Sequence, residues 1–274
     1  MIHAASRQAL TTLESTLDTV TSRFSTADGL TGLAGELYQV VDLLVREPQL
    51  RRKLADPTTD AQRRADLAAT LLGGKVVAST AQLVREAVAL RWSSPWDLLD
   101  ALEIVADEAL FEAAVTAGVV DEVEDQLFRF GRVLDAQPRL STLLDDATAS
   151  SERRSALVHE LLVDKVHPLT SALLEHAVTS QRKRSITHTI DDLLELGAKR
   201  RARSMARVVC AVELTREQQT RLAAALSDLY GRPISIRSAV DPAVRGGLVI
   251  RVGDEVIDGS IATRLASARA TMAS

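Results

Sequence analysis

Apolar residues recur every three to four positions along most of the chain, which is the pattern of amphipathic helices. One apolar stripe ends just before Pro48, and a second ends just before Pro138. The first stripe consists of Leu30, Leu33, Leu37, Val41 and Leu44, and the second of Val123, Leu127, Phe130 and Leu134. Stripes of the same period follow both prolines. The pattern predicts helical bundles over the first three quarters of the chain.

The helical part of the sequence contains a repeat. Residues 48–88 align without a gap to residues 138–178, at an offset of 90, and 16 of the 41 positions are identical. The identities include Pro48, Arg63-Arg64 and Lys75-Val76, which helical periodicity alone does not place in the same frame. We therefore expect a duplication, with one bundle over residues 1–115 and a second over residues 116–205.

A further helix is predicted at the junction of the two copies. Ser94 has the side chain of an N-cap, Pro95 suits the first helical position, and Asp97 would complete a box-like cap. This helix lies where the first copy ends and the second begins. We expect it to serve both copies.

After about residue 205 the apolar period changes. Strands are predicted in ARVVCAVEL, PISIRSAV, GGLVIRVG and EVIDG, and Gly253 suits the turn between the last two. Thr215 and Gln218 form a capping box that opens a helix, with Leu222, Leu226 and Leu229 on one face. A last helix is expected from Ser260. The fold class is mainly α, with two tandem repeated helical bundles followed by a small α/β domain over residues 206–274.

The glycines of this C-terminal part do not form a phosphate-binding loop. Such a loop lies between a strand and a helix and carries Gly-Lys-Ser/Thr. Here Gly246 and Gly247 precede a strand, and no Gly-Lys-Ser/Thr follows. We expect a hairpin whose backbone needs glycine.

The segment ISIRSAVDPAVRGGLVIRVG, followed by DEVIDGSIATRL, resembles the C-terminal signature of the F-type ATP synthase delta subunit, whose mitochondrial counterpart is the oligomycin-sensitivity-conferring protein. The signature positions are Ile234, Ile236, Val240, Asp241, Val244, Gly246, Gly247, Leu248, Ile250, Arg251, Gly253, Asp258 and Gly259. Family members have one helical bundle before a small α/β domain. Two copies resemble a longer bacterial form, sometimes fused to the stator's b subunit. No b-like membrane segment precedes the repeats here, so we expect b to be a separate chain.

The resemblance implies a structural stator subunit that catalyses nothing and needs no cofactor or metal. An N-terminal bundle would take up the N-terminal helix of the alpha subunit in a groove. The C-terminal domain would meet the distal end of b. The chain would then lie at the cytoplasmic side of the cell membrane, attached peripherally through the synthase, without inserting into the lipid.

Composition bears on the alternative functions. A hydrophobic fraction of 46% argues against disorder, and a net charge of −4 is a poor match to nucleic-acid binding. The basic segments 181–185 and 198–207 are expected to be solvated or to face an acidic partner. The alternative function is a helical-repeat adaptor, or a nucleic-acid-binding regulator that uses this basic face.

The remaining candidate residues are a cysteine and a group of histidines. Cys210 is the only cysteine, so no intrachain disulfide can form, and we expect a small core residue. In HELLVDKVH the second histidine lies eight residues after the first, whereas a zinc-binding His-Glu-x-x-His motif needs four. The four histidines of the second copy are therefore expected at the surface: His159, His167, His176 and His188.

Overall fold

A computed structural model describes residues 3–146, 148–180, 185–203, 205–230, 234–241, 244, 246–253 and 255–259. The chain forms two compact units, residues 1–197 and residues 198–274. The first is helical, and the second contains a small sheet, which confirms the mainly α class with a small α/β part.

The helices of the first copy follow a 3-10 turn at Ala4–Ser6. They are α1 (Arg7–Thr21), α2 (Ala27–Arg46), α3 (Pro48–Leu54), α4 (Ala61–Leu72), α5 (Ala78–Ala89) and α6 (Pro95–Ala117). The second copy continues with α7 (Val120–Ala136), α8 (Pro138–Asp145), α9 (Ser151–Leu162), α10 (Pro168–Thr179) and α11 (Ile186–Arg203). The helices α3 and α8, α4 and α9, and α5 and α10 begin at the same offset of 90 residues.

The offset also reproduces backbone detail. Gly74 follows α4 with a φ of 70°, and its counterpart Asp164 follows α9 with a φ of 60°. Both residues adopt the left-handed conformation, which glycine and aspartate tolerate better than other residues. The two turns are therefore the same turn, made once with glycine and once with aspartate.

The same polar contacts recur in both copies. The carboxylate of Glu36 on α2 accepts the Val77 backbone N–H, at 2.9 Å, and the Thr80 hydroxyl. At the equivalent place on α7, the amide oxygen of Gln126 accepts the His167 backbone N–H and the Thr170 hydroxyl, at 2.8 and 2.7 Å. These contacts join α2 to the start of α5 in the first copy, and α7 to the start of α10 in the second copy.

Helix α6 lies at the centre of the helical unit. Sixteen of its 23 residues are buried, because α1 and α2 pack on it from the first copy and α7 and α10 from the second. One continuous hydrophobic core therefore runs through both copies, and α6 serves both, as its position in the sequence predicts. The expected cap is only partly present. The Ser94 hydroxyl accepts the Trp96 N–H, but the Asp97 carboxylate instead accepts from Ser6 at 2.6 Å and lies 2.7 Å from His3.

The C-terminal unit is a four-stranded sheet with one described helix. Its strands are β1 (Met205–Cys210), β2 (Ser235–Val240), β3 (Leu248–Val252) and β4 (Glu255–Asp258), in the order β2-β1-β3-β4. β1 pairs parallel to β2, after the crossover helix α12 (Arg216–Tyr230), and antiparallel to β3. Its own small core contains Ala206, Val208, Leu226, Ile234, Ile250 and Val252.

The sequence predictions for α12 are confirmed in part. Thr215 and Gln218 form the reciprocal capping box, with N···O distances of 2.9 and 3.2 Å. Leu222 and Leu226 pack into the core. Leu229, one turn further along α12, is 67% exposed and does not join them in the core. The helix expected from Ser260 lies outside the described residues.

Candidate docking surfaces

A polar network joins the two copies where α2, α6 and α10 meet. The Tyr38 hydroxyl donates to Asp107 at 2.6 Å, and the Tyr38 ring stacks on His176 with the ring centroids 3.7 Å apart. Nε2 of His176 lies 3.4 Å from Glu103, which also accepts the Ser180 hydroxyl at 2.9 Å. The contact between the copies is thus aromatic and polar as well as hydrophobic.

The environment of Tyr38 keeps its phenol neutral. Burial raises the pKa of Tyr38 well above its ordinary value, and the charge of Asp107 and the hydrogen bond to it raise it further. At the offset of 90, Glu103 and Asp107 stand where α1 has the core residues Leu13 and Leu17. Helix α6 therefore has carboxylates at the positions where α1 has leucines. These carboxylates contact Tyr38 and His176, which reach this side of α6.

The histidines differ in exposure. The side chain of His159 is 64% exposed, whereas that of His176 is only 10% exposed. The expectation that all four lie at the surface is wrong for His176, since α2 of the other copy covers it. His167 has a local role, because its Nδ1 accepts the Leu169 N–H at the start of α10. In the described part of the chain, no group of three or more His, Cys, Asp and Glu side chains is placed to hold a metal ion.

A cleft opens beside this network. Its volume is about 310 Å³. The lining residues are Thr31, Gly35 and Tyr38 of α2, Leu110 of α6, Ser155 of α9, and Ala172, Glu175, His176 and Thr179 of α10. Small side chains from α2 and α10 leave the space open. A cleft of this size can take one or two side chains of a partner helix.

The second copy exposes several large apolar side chains. Phe128 and Val133 of α7 are 56% and 47% exposed, and Leu143 of α8 is 56% exposed. On α9 and just after it, Leu161 and Val163 are 37% and 48% exposed. The surface of the second copy thus has apolar positions among charged ones.

Comparison with known proteins identifies the family. The model of the family "ATP synthase delta (OSCP) subunit" matches residues 107–272. The ATP synthase subunit delta of Streptomyces avermitilis is 46% identical over 272 residues, which is 99% of each chain. The chain belongs to the ATP synthase delta (OSCP) subunit family.

Other relatives extend this result. The ATP synthase subunit delta of Streptomyces griseus is 43% identical and matches over 99% of the present chain. The ATP synthase subunit b-delta of Mycobacterium sp. is 43% identical over 97% of this chain, which spans 60% of that longer protein. A chain of the Toxoplasma gondii mitochondrial ATP synthase hexamer is 20% identical and covers 61% of this chain, with a TM-score of only 0.29. The full-length matches to the two Streptomyces proteins show that other delta subunits share the duplicated length.

Membership of the delta family defines the general role of the chain. It is a structural subunit of the peripheral stalk, the stator of an F-type ATP synthase, as the C-terminal resemblance implied. None of these relatives is named as an adaptor or a nucleic-acid-binding protein. Among the described residues, no helix is both long and apolar enough to cross a membrane.

The delta-family signature falls on β2, β3, β4 and the turns between them. Ile234 and Ile250 are buried, Ile236 and Leu248 pack on the same core, and Val240, Asp241, Arg251 and Asp258 are exposed. Gly246 and Gly247 have φ values of 114° and 86°, which glycine adopts at little cost, and Gly253 has the left-handed φ of 57°, which glycine favours. The Val244 N–H donates to the Asp241 carbonyl, and a Cβ at Gly259 would lie 3.3 Å from the Leu248 carbonyl oxygen. Most of the signature therefore maintains the hairpin, which leaves the exposed side chains of Val240, Asp241, Arg251 and Asp258 as candidate contacts.

Two further predictions concern Cys210 and the basic segments. Cys210 is buried in β1, as expected for a small core residue. Arg200, in the basic segment 198–207, is fully buried, so the expectation of a solvated face is wrong there, although Arg207 is exposed. Most of the segment 181–185 lies outside the described residues.

Proposed function

We propose that the chain ties the catalytic head of the synthase to the b subunit, at the cytoplasmic side of the cell membrane. The helical unit would bind the N-terminal helix of the alpha subunit, and the C-terminal sheet would bind the distal end of b. The observation that carries this proposal is the 46% identity to an ATP synthase subunit delta over the full length of both chains.

The cleft beside Tyr38 supports binding of a helix by the helical unit. An amphipathic helix binds a groove through apolar side chains spaced three, four and seven residues apart. The cleft is bounded by Gly35, Ala172 and Leu110, which leave room for such an anchor, and Thr31 and Thr179 offer hydroxyl groups at its rim. No catalytic group is needed for this role.

The b-delta relative supports a contact with b. In that Mycobacterium protein, as its name states, b and delta parts belong to one chain, and the delta-like part matches nearly all of the present chain. Two parts that one chain joins in a relative are expected to lie next to each other when they are separate chains. Val256 of β4 is 48% exposed and pairs with the exposed Arg251 of β3, so it is an apolar position on the face of the sheet away from the small core that a stalk helix could cover.

A pull-down of the tagged chain from gently solubilised membranes tests the partners. Alpha, beta and b subunits should be recovered in fixed ratio. Recovery of none of them, or of nucleic acid alone, would overturn the proposal.

Titration calorimetry with a synthetic alpha N-terminal peptide tests the cleft. Ala172→Trp fills the cleft and should weaken binding at least tenfold. Ala156→Trp places the same side chain on an exposed position of α9 outside the cleft and should leave the affinity unchanged. Equal affinities for the two variants would show that the helix binds elsewhere.

A further inference from the structure

The offset of 90 residues relates one face of α7 to one face of α2. We define the α7 outer face as Asp121, Glu124, Asp125, Phe128 and Asp135. The corresponding residues of α2 are Thr31, Ala34, Gly35, Tyr38 and Val45. At 3.6 residues per turn, these positions lie on one side of each helix, next to its core-facing stripe.

In the first copy this face is turned towards other helices. Tyr38 stacks on His176 of α10, Thr31 and Gly35 line the cleft opposite α9 and α10, and Ala34 is fully buried. This face of α2 can therefore pack against another helix. Here that helix is α10, which belongs to the second copy.

In the second copy the same face is open and differs in chemistry. Asp121, Asp125, Phe128 and Asp135 are exposed, and Glu124 is half-buried. Five positions of α2 without charge are thus replaced by four carboxylates and an aromatic ring that is 56% exposed, whereas Arg132 on the same side of α7 replaces Asp42 of α2. Arg129 pairs with Asp125 at 2.7 Å, and Arg132 lies between Phe128 and Asp135 along the helix, so two cations offset part of this charge.

We propose that the α7 outer face is a docking surface for a basic amphipathic helix of another subunit, which packs an apolar side chain on Phe128. This proposal goes beyond the binding of the alpha subunit at the cleft. The partner would lie against α7 as α10 lies against α2, and the carboxylates select a partner of positive charge. Exposed ion pairs contribute little binding free energy, so the ring is the anchor and the carboxylates select and orient the partner.

The first test is a photo-crosslink in the assembled synthase. A benzoylphenylalanine replaces Phe128 in one strain and Val133 in a second strain. Val133 is the matched control, because it is an exposed apolar residue of the same helix on a different side. Position 128 should crosslink to one segment of another subunit that has net positive charge and a helical apolar repeat. A product with a second copy of this chain or with an acidic or neutral segment, or no product, would overturn the proposal.

Charge reversal provides the second test. Asp121→Lys and Glu122→Lys both change the first turn of α7 by the same charge, but only Asp121 belongs to the outer face. Asp121→Lys should raise the rate at which the chain dissociates from the purified synthase at least fivefold at low salt, and the difference should vanish at high salt. Equal rates for the two variants would contradict a charged docking face.

The two tests also separate this proposal from the proposed function. If the chain were not recovered with the synthase at all, both crosslinkers would give no synthase products and the proposed function would fail. If the chain were recovered with alpha, beta and b, while position 128 crosslinked no basic segment, only the present inference would fail.

Discussion

Gly197 shows how closely a single position is adjusted to the shared core. A Cβ at Gly197 would lie 2.7 Å from Cε1 of Phe111, which is fully buried on α6. Because Phe111 is fully buried in a close-packed core, an added methyl group must displace its ring, α11 or α6.

We predict that Gly197→Ala destabilises the helical unit by about 1–3 kcal/mol, through overpacking. Gly32→Ala is the matched control, because Gly32 is also helical and has no atom within 4 Å of an added Cβ. That control should be neutral or more stable by up to about 1 kcal/mol, since alanine favours helix. Urea denaturation followed by circular dichroism measures both, and equal effects would contradict the crowding at Phe111.

Tyr38 makes the stability of the helical unit depend on alkaline pH. Because the pKa of Tyr38 is raised in the folded protein, the unfolded chain loses its phenol proton first, near the ordinary value of about 10. The stabilisation is therefore complete below about pH 10 and is lost as the pH rises towards the folded pKa.

We predict that Tyr38→Phe removes this alkaline loss and lowers stability at pH 8 by about 1–3 kcal/mol, since Asp107 loses a donor. Urea unfolding of the helical unit at pH 8 to 11 measures both effects. Tyr230→Phe, in the other unit, removes a hydroxyl that donates to Glu255 and should leave both properties of the helical unit unchanged. The same alkaline slope in both variants would refute the role of Tyr38.

At the scale of the helices, Glu36 and Gln126 show that the duplicated contact needs an acceptor and not a charge. Both side chains accept a backbone N–H and a threonine hydroxyl, at the start of α5 for Glu36 and at the start of α10 for Gln126. Thr80 and Thr170 are fully buried, so their hydroxyl groups depend on these acceptors.

We predict that Glu36→Gln changes the free energy of unfolding by less than about 1 kcal/mol, whereas Glu36→Leu costs about 1–3 kcal/mol by leaving two donors without their acceptor. Thermal unfolding of the two variants measures the difference. A large loss in Glu36→Gln would mean that the carboxylate charge itself is required.

The helices also show what sequence can and cannot predict. The Thr215–Gln218 box is confirmed because both partners lie within one turn of each other. Asp97 has local cap chemistry but accepts from Ser6, a residue 91 positions away. His176 is likewise covered by Tyr38 of the other copy. The repeat predicts the bounds of the helices. It does not predict the contacts of Asp97 with Ser6 and of His176 with Tyr38, because these residues are distant in sequence and no local pattern reveals the pairing.

At the scale of the whole molecule, the shared core determines how the chain unfolds. Leu17 of the first copy and Leu173 of the second belong to one hydrophobic cluster, whereas Val208 belongs to the separate core of the sheet. The two copies should therefore unfold together.

We predict that Leu17→Ala and Leu173→Ala each lower the same calorimetric transition, by about 2–5 kcal/mol in free energy. Val208→Ala should lower a different transition, that of the C-terminal unit. Scanning calorimetry of the full chain measures all three, and separate transitions for Leu17→Ala and Leu173→Ala would show that the copies are independent.

The sharing of α6 has a consequence for how such chains evolve. The same offset of 90 residues relates α1 to α6 and α6 to α11, so each duplication adds five helices and not six. Recombination between the genes for two such chains, within the codons of these helices, would lengthen or shorten the product by 90 residues and leave one intact hybrid helix at the junction. Stalk proteins built on this plan can thus change length in steps of one copy without requiring a new linker.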